Sequence, residues 1–140
     1  MGSEPSMANL IKLSGNFLIA AMIECLGEAI ALVGKGGVDP QAYVELLTST
    51  MFPAPAYKIY GNLIAEGKFQ PAGFAAPLGH KDVRLVMAAA GVLKVPMPVA
   101  SLLNDRLLRL VAQGGEALDW SAVGGLALQD AGLRSLPTSR

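Results

Sequence analysis

From Phe17 to Val33 only Glu24 and Glu28 interrupt a run of apolar and small residues. The run continues back to Leu10, broken there by Lys12, Ser14 and Asn16. No stretch alternates apolar with polar residues, so the chain predicts helices and no strand. A long first helix is expected over Ser6–Val33, with Pro5 just ahead of it. At about 100° per residue, Asn9, Lys12 and Asn16 fall on one narrow stripe. The rest of the circumference is apolar, from Leu10, Ile11 and Leu13 through Phe17, Leu18, Met22, Cys25 and Leu26. A helix apolar nearly all round predicts burial on most sides. Its polar residues are confined to the first turns, which predicts a central helix with one wet end.

Turn residues divide the chain beyond Val33. The glycines at 34, 36 and 37 suit a helix C-terminus, and Asp39 with Pro40 suits the start of a second helix. A proline-broken loop over 51–55 precedes a third helix, Ala56–Ala65, which stops at Gly67. A Pro/Gly loop over 68–76 leads to a fourth helix, Leu78–Ala90, which stops at Gly91. After Pro96 and Pro98 a fifth helix runs over Val99–Ala112 to Gly114 and Gly115. Asp119 is placed to cap a short last helix, Trp120–Ala131, and residues 133–140 read as a frayed tail. The expected fold is thus all-α, a multi-helical bundle around one long central helix, with residues 1–132 as a single domain.

Composition narrows the function. The 140 residues are enough for one domain with a core. Formal net charge is +0, without the basic surplus of a nucleic-acid binder. Hydrophobic residues make up 52% and charged ones 16%, and mean hydropathy is +0.44. That much apolar surface is buried, partly against another protein, or spans a membrane. Glu24 and Glu28 argue against the membrane, since each costs roughly 2.5–3.5 kcal/mol at a bilayer centre. Residues 1–9 lack the basic and apolar regions of a signal peptide. Cys25 is the only cysteine, so no disulfide framework exists and a cytoplasmic location is expected. Cys25 itself reads as a core residue.

The candidate chemistry is sparse. His80 stands alone, which is no metal site. Of Glu24 and Glu28, one is expected to meet an arginine and the other water. The chain has no phosphate loop and no G-x-G-x-x-G; the glycines at 34–37 follow a helix instead of opening one. Two polar features remain, Lys12 with Asn16 and the pair Lys81–Asp82. Lys12 either snorkels to solvent along its apolar neighbours or, with the Asn16 amide, grips a carboxylate or hydroxyl. Such a lysine can donate a proton to an oxygen as hydride reaches its carbon. Lys81–Asp82 alone reads as a solvated pair near a helix start.

The segment from Gly2 to Asn16, with its K-x-x-x-N pair, resembles the junction and catalytic helix of the β-hydroxyacid dehydrogenases. These include 3-hydroxyisobutyrate dehydrogenase, tartronate semialdehyde reductase and the succinic semialdehyde and glyoxylate reductases, with 6-phosphogluconate dehydrogenase more distant. A second segment, Phe74–Leu85, is similar to the family's F-x-x-x-L-x-x-K-D-x-x-L. Together the resemblance covers Gly2 to Trp120.

It implies that Lys12 is the acid/base, that Asn16 binds substrate, and that Lys81 and Phe74 lie toward an NAD or NADP cofactor. It also implies a small hydroxy acid or semialdehyde substrate and a homo-oligomer. The family's nucleotide-binding domain, with its Gly-rich loop, is not in these 140 residues, and Met1 falls on the interdomain junction. The expectation is therefore a piece of a longer enzyme, inactive by itself. The alternative is a free-standing helical oligomerisation or binding module.

Overall fold

In the computed structural model the structure describes residues 5–138 and contains six helices. They are α1 (Pro5–Lys35), α2 (Pro40–Ser49), α3 (Pro55–Glu66), α4 (Ala76–Leu93), α5 (Pro98–Ala112) and α6 (Ala122–Asp130). The segment 2–4 of the junction and the last two residues of the tail lie outside the described residues.

Local chemistry sets most boundaries. Asp39 Oδ2 accepts the Ala42 N–H at 2.9 Å and caps α2, with Pro40 at its start. Prolines also open α3 and α5. Gly67 ends α3 in the left-handed conformation, φ 68°. The fourth and the last helix differ most clearly from those the sequence predicts. The fourth helix begins at Ala76 and runs through Gly91 to Leu93, where Lys94 adopts φ 58° as the cap. Helical glycine costs only about 1 kcal/mol against alanine, and Ala90 is still buried against the bundle. The last helix begins at Ala122, because Asp119 spends its carboxylate on a loop as well as on the Ser121 N–H.

The long helix α1 packs against each of the other five. By length and composition it could cross a membrane; here its inward face closes the core instead. Ile23, Ile30, Ile64, Leu103, Leu107, Leu110 and Leu126 are fully buried at the centre. Helices α1 and α6 approach each other at backbone range. A Cβ on Gly27 would stand 2.4 Å from Gly124 Cα, so only glycine permits this contact.

Burial corrects the expected picture of α1. Leu13, Ile23, Leu26 and Ile30 are buried, but Leu10, Ile11, Leu18 and Leu32 are exposed, and so is Cys25. The five shorter helices cover one side of α1 and leave the other bare. The helix buried all round is α6, where every residue from Ala122 to Leu128 is buried. The tail also differs. Arg134 Nη1 donates to the carbonyls of Ile64 and Ala65, and Leu136 is buried. These contacts hold residues 134–136 on the bundle, against the C-terminus of α3.

Candidate functional site

Helix α1 positions the first pair. Lys12 and Asn16 lie one turn apart, about 6 Å along the axis. Lys12 is exposed and Asn16 is half-buried. The exposed lysine agrees with the wet end expected for the first turns of this helix. The early turns of α1 meet α4 and α5 on one side only, where Leu13 packs with Val86 and Ala100. Lys12 is on the open side.

Helix α4 brings the second pair. Lys81 is exposed on it, and Asp82 is half-buried. The two do not form the isolated solvated pair that their adjacency suggests. Asn16 Nδ2 donates to Asp82 Oδ2 at 2.8 Å. This hydrogen bond joins the two motif segments across the α1–α4 interface. It uses one N–H of the Asn16 amide and fixes which way the amide faces. Among the described residues the carbonyl oxygen and the second N–H of Asn16 are not taken up by this bond. They are the atoms available to a ligand.

Phe74 lies in the loop that leads into α4. Its ring packs edge-on to Trp120 with centroids 4.7 Å apart. Trp120 meets Tyr60 in turn, through an edge contact and an Nε1–H donated to the Tyr60 hydroxyl at 3.2 Å. Phe74 stays half-buried, so part of its ring faces outward. From Phe74 to Lys81 the chain runs from this aromatic cluster along α4 toward Asn16.

The remaining titratable candidates form a separate cluster. Arg106 Nε lies 2.9 Å from Glu24 Oε1, and its guanidinium also reaches Asp130 at 3.1 Å. Arg109 makes the other ion pair to Asp130. Glu28 is exposed. One glutamate thus meets an arginine and the other faces water. Burial pushes the Glu24 carboxyl above the usual range; Arg106 opposes this and the Glu28 charge adds to it. Hydrogen bonding to Arg109 holds Asp130 below the usual range. An open cavity of about 550 Å³ lies over this cluster, between α1, α5 and α6, and Lys12 does not line it. His80 is half-buried and bonded to Asn104 at 2.9 Å, tying α4 to α5. The sequence pointed to an arginine for one of the two glutamates but not to which arginine, and it carried no sign of the His80–Asn104 contact, since the partners are distant in the chain.

Lys12 lies one turn from Asn16 on α1 and Lys81 precedes Asp82 on α4, both exposed, so the chemistry offered by these two segments is two ammonium groups and one oriented amide.

Comparison with known proteins agrees with the fold and with the family resemblance. The family profile described as "NAD-binding of NADP-dependent 3-hydroxyisobutyrate dehydrogenase" matches residues 7–127. An uncharacterized oxidoreductase of Bacillus subtilis, YfjR, is 37% identical over 123 residues, which is 88% of this chain and 43% of that protein. The 2-hydroxy-3-oxopropionate reductase of Escherichia coli is 27% identical, over 80% of this chain and 38% of the reductase. Among solved structures, the 3-hydroxyisobutyrate dehydrogenase of Mycobacterium tuberculosis, determined with L-serine, superposes with a TM-score of 0.73 at 25% identity, covering 83% of this chain and 42% of that one. The Salmonella typhimurium protein gives 0.75 at 22% identity, which speaks for the fold, and covers 83% and 40%. The chain spans about two fifths of the length of the curated relatives it matches.

Proposed function

This chain belongs to the NADP-dependent 3-hydroxyisobutyrate dehydrogenase family and corresponds to the family's domain described as NAD-binding; from that premise we propose that it supplies the catalytic lysine and part of the substrate site of a β-hydroxyacid dehydrogenase. The observation that carries this reading is the Asn16–Asp82 hydrogen bond, which places the two family motifs side by side.

In the proposed reaction a small hydroxy acid and its semialdehyde interconvert. A reduced nicotinamide, when bound, supplies hydride to the carbonyl carbon. Lys12 gives its ammonium proton to the carbonyl oxygen, so that an alcohol forms and a neutral amine remains. In oxidation the amine takes that proton back. The exposed head of Lys12 suits this role, because it is free to follow the substrate oxygen. Asn16, oriented by Asp82, holds the substrate through its remaining N–H and carbonyl. The exposed Lys81 and the outward part of the Phe74 ring offer a cation and an apolar face, which fits an anionic carrier with a flat aromatic ring.

The exposed apolar residues of α1 support a second element of the proposal. Ile11, Leu18 and Leu32 are 54%, 65% and 75% exposed. Such a line of apolar side chains suits burial against a second copy in a homo-oligomer.

The test is a fusion of this chain behind the preceding portion of the Bacillus subtilis relative. It should reduce glyoxylate, succinic semialdehyde or 2-hydroxy-3-oxopropionate with NADPH or NADH, while the 140-residue chain alone should not. Equal turnover by the chain alone, or none by a folded fusion that binds the nucleotide, argues against the proposal.

A further inference from the structure

Asp119 belongs to neither motif segment, yet it is the residue most heavily engaged with the loop that carries Phe74. It is only 5% exposed. Its Oδ2 accepts the N–H groups of Gly73 and Phe74, both at 3.0 Å, and its Oδ1 accepts the Ser121 N–H at 2.9 Å. The main chain reinforces this. The Asp119 N–H donates to Phe69 O at 2.8 Å, the Trp120 N–H to Phe74 O at 2.8 Å, and the Ala76 N–H to Leu118 O at 2.9 Å. Segment 118–120 is thus laced to segment 69–76, with one isolated bridge between Ala75 and Asp119. Next to it, the Trp120 ring packs where a Cβ on Gly79 would stand 2.9 Å away, so α4 is held at close range.

A carboxylate this deeply buried is costly unless hydrogen-bonded. Here it is held by backbone N–H groups, which are strong donors to a charged acceptor. The side-chain and N–H bonds of Asp119 end at Phe69, Gly73 and Phe74 of the loop and at Ser121. The first residue of α4, Ala76, is held by the carbonyl of Leu118, the neighbour of Asp119, so the paired segment that Asp119 anchors also fixes the start of the helix bearing Lys81 and Asp82.

We propose that Asp119 is a positioning residue of the active site: it holds Phe74 in place and, through the start of α4, sets Asp82 against Asn16. This rests on the functional reading of Phe74 and Asn16 given above. Asp119 itself touches neither substrate nor cofactor.

The isosteric change Asp119→Asn tests it, because an amide nitrogen cannot accept the N–H bonds that one oxygen now takes. The 140-residue chain is followed by NMR. Losing a charge-assisted hydrogen bond should raise amide exchange at Gly73 and Phe74 by about ten- to hundredfold, relative to Leu107 in the core. The side-chain amide protons of Asn16 should shift at the same time, which a purely local loop role would not cause. Exchange that rises equally everywhere, exchange unchanged at 73 and 74, or an unmoved Asn16 amide overturns the proposal. If the variant does not fold, the wild-type chain decides: Gly73 and Phe74 amides exchanging as fast as in an unfolded peptide overturn it, and protected ones support it. None of these readouts needs turnover, so they stand apart from the outcome at Lys12.

Discussion

Asn16 reaches across to Asp82, Nδ2 to Oδ2 at 2.8 Å, over 66 residues of sequence. The bond makes Asp82 the orienter of an amide that Lys12 shares a helix face with. Removing it should cost function before it costs fold, since both residues are half-buried at a helix–helix edge. Hydrogen bonds to a charged group contribute about 1.5–3 kcal/mol. In the fusion enzyme, Asp82→Ala should therefore lower kcat/KM by about ten- to a hundredfold, with a thermal midpoint lowered only by the several degrees that loss of one such bond accounts for. Steady-state kinetics beside a melting curve check this. An unchanged kcat/KM would detach Asp82 from the site.

The α1–α6 contact predicts a steric penalty. A Cβ on Gly27 would meet Gly124 Cα and O at 2.4 Å, and backbone atoms cannot turn aside as a side-chain tip can. Overpacking costs typically about 1–3 kcal/mol, and Gly27→Ala should fall at the upper end or beyond. Urea denaturation measures it. Gly15→Ala is the control on the same helix, because nothing lies within 4 Å of its Cβ position; it should not lose stability.

The Glu24–Arg106 pair predicts a pH dependence with a definite sign. The folded Glu24 carboxyl has a raised pKa, chiefly through burial, so the folded state takes up its proton more readily than the unfolded state. This group's contribution is then most favourable below the usual glutamate value of about 4.3 and declines as pH rises from there through the raised folded value. Asp130 acts in the opposite sense. Its lowered pKa, set first by Arg109, gives stability above the usual aspartate value that is lost as pH falls through the folded one. As pH rises above the usual glutamate value, unfolding midpoints should decline in the wild type relative to Glu24→Gln. Parallel curves for the two proteins would contradict the assignment.

The bare side of α1 predicts self-association. Sedimentation at micromolar concentration should show a dimer or larger species. Leu18→Glu and Leu32→Glu, both on exposed apolar positions, should shift it toward monomer without unfolding it. A wild-type monomer under those conditions counts against the oligomer.

Much of the fold was legible because its boundaries are local. Pro40, Pro55, Pro98, Asp39 and Gly67 act through their own backbone and neighbours, and helix ends fell near them. Gly91 misled for the converse reason. A glycine mid-helix is tolerated where burial carries the helix past it, and the stop moved to Lys94. Which apolar residues face inward was not legible for α1, because a helix apolar all round gives no phase, and five partners on one side chose it. The candidate site residues Lys12, Asn16, Lys81 and Phe74 were picked out by the resemblance of their segments to a family and not by spacing alone, while the Asn16–Asp82 bond and the grip of Asp119 on the Phe74 loop join residues that only the fold brings together.

Everything proposed for the site turns on whether Lys12 moves the proton. The decisive quantity is kcat for Lys12→Ala in the fusion enzyme, at saturating substrate and nucleotide, against its parent. General acid–base catalysis contributes about 10²–10⁴-fold, so a loss of that size is predicted, with nucleotide binding retained. A loss of only a few fold would contradict the proposed role and return Lys12 to a surface lysine on an apolar helix.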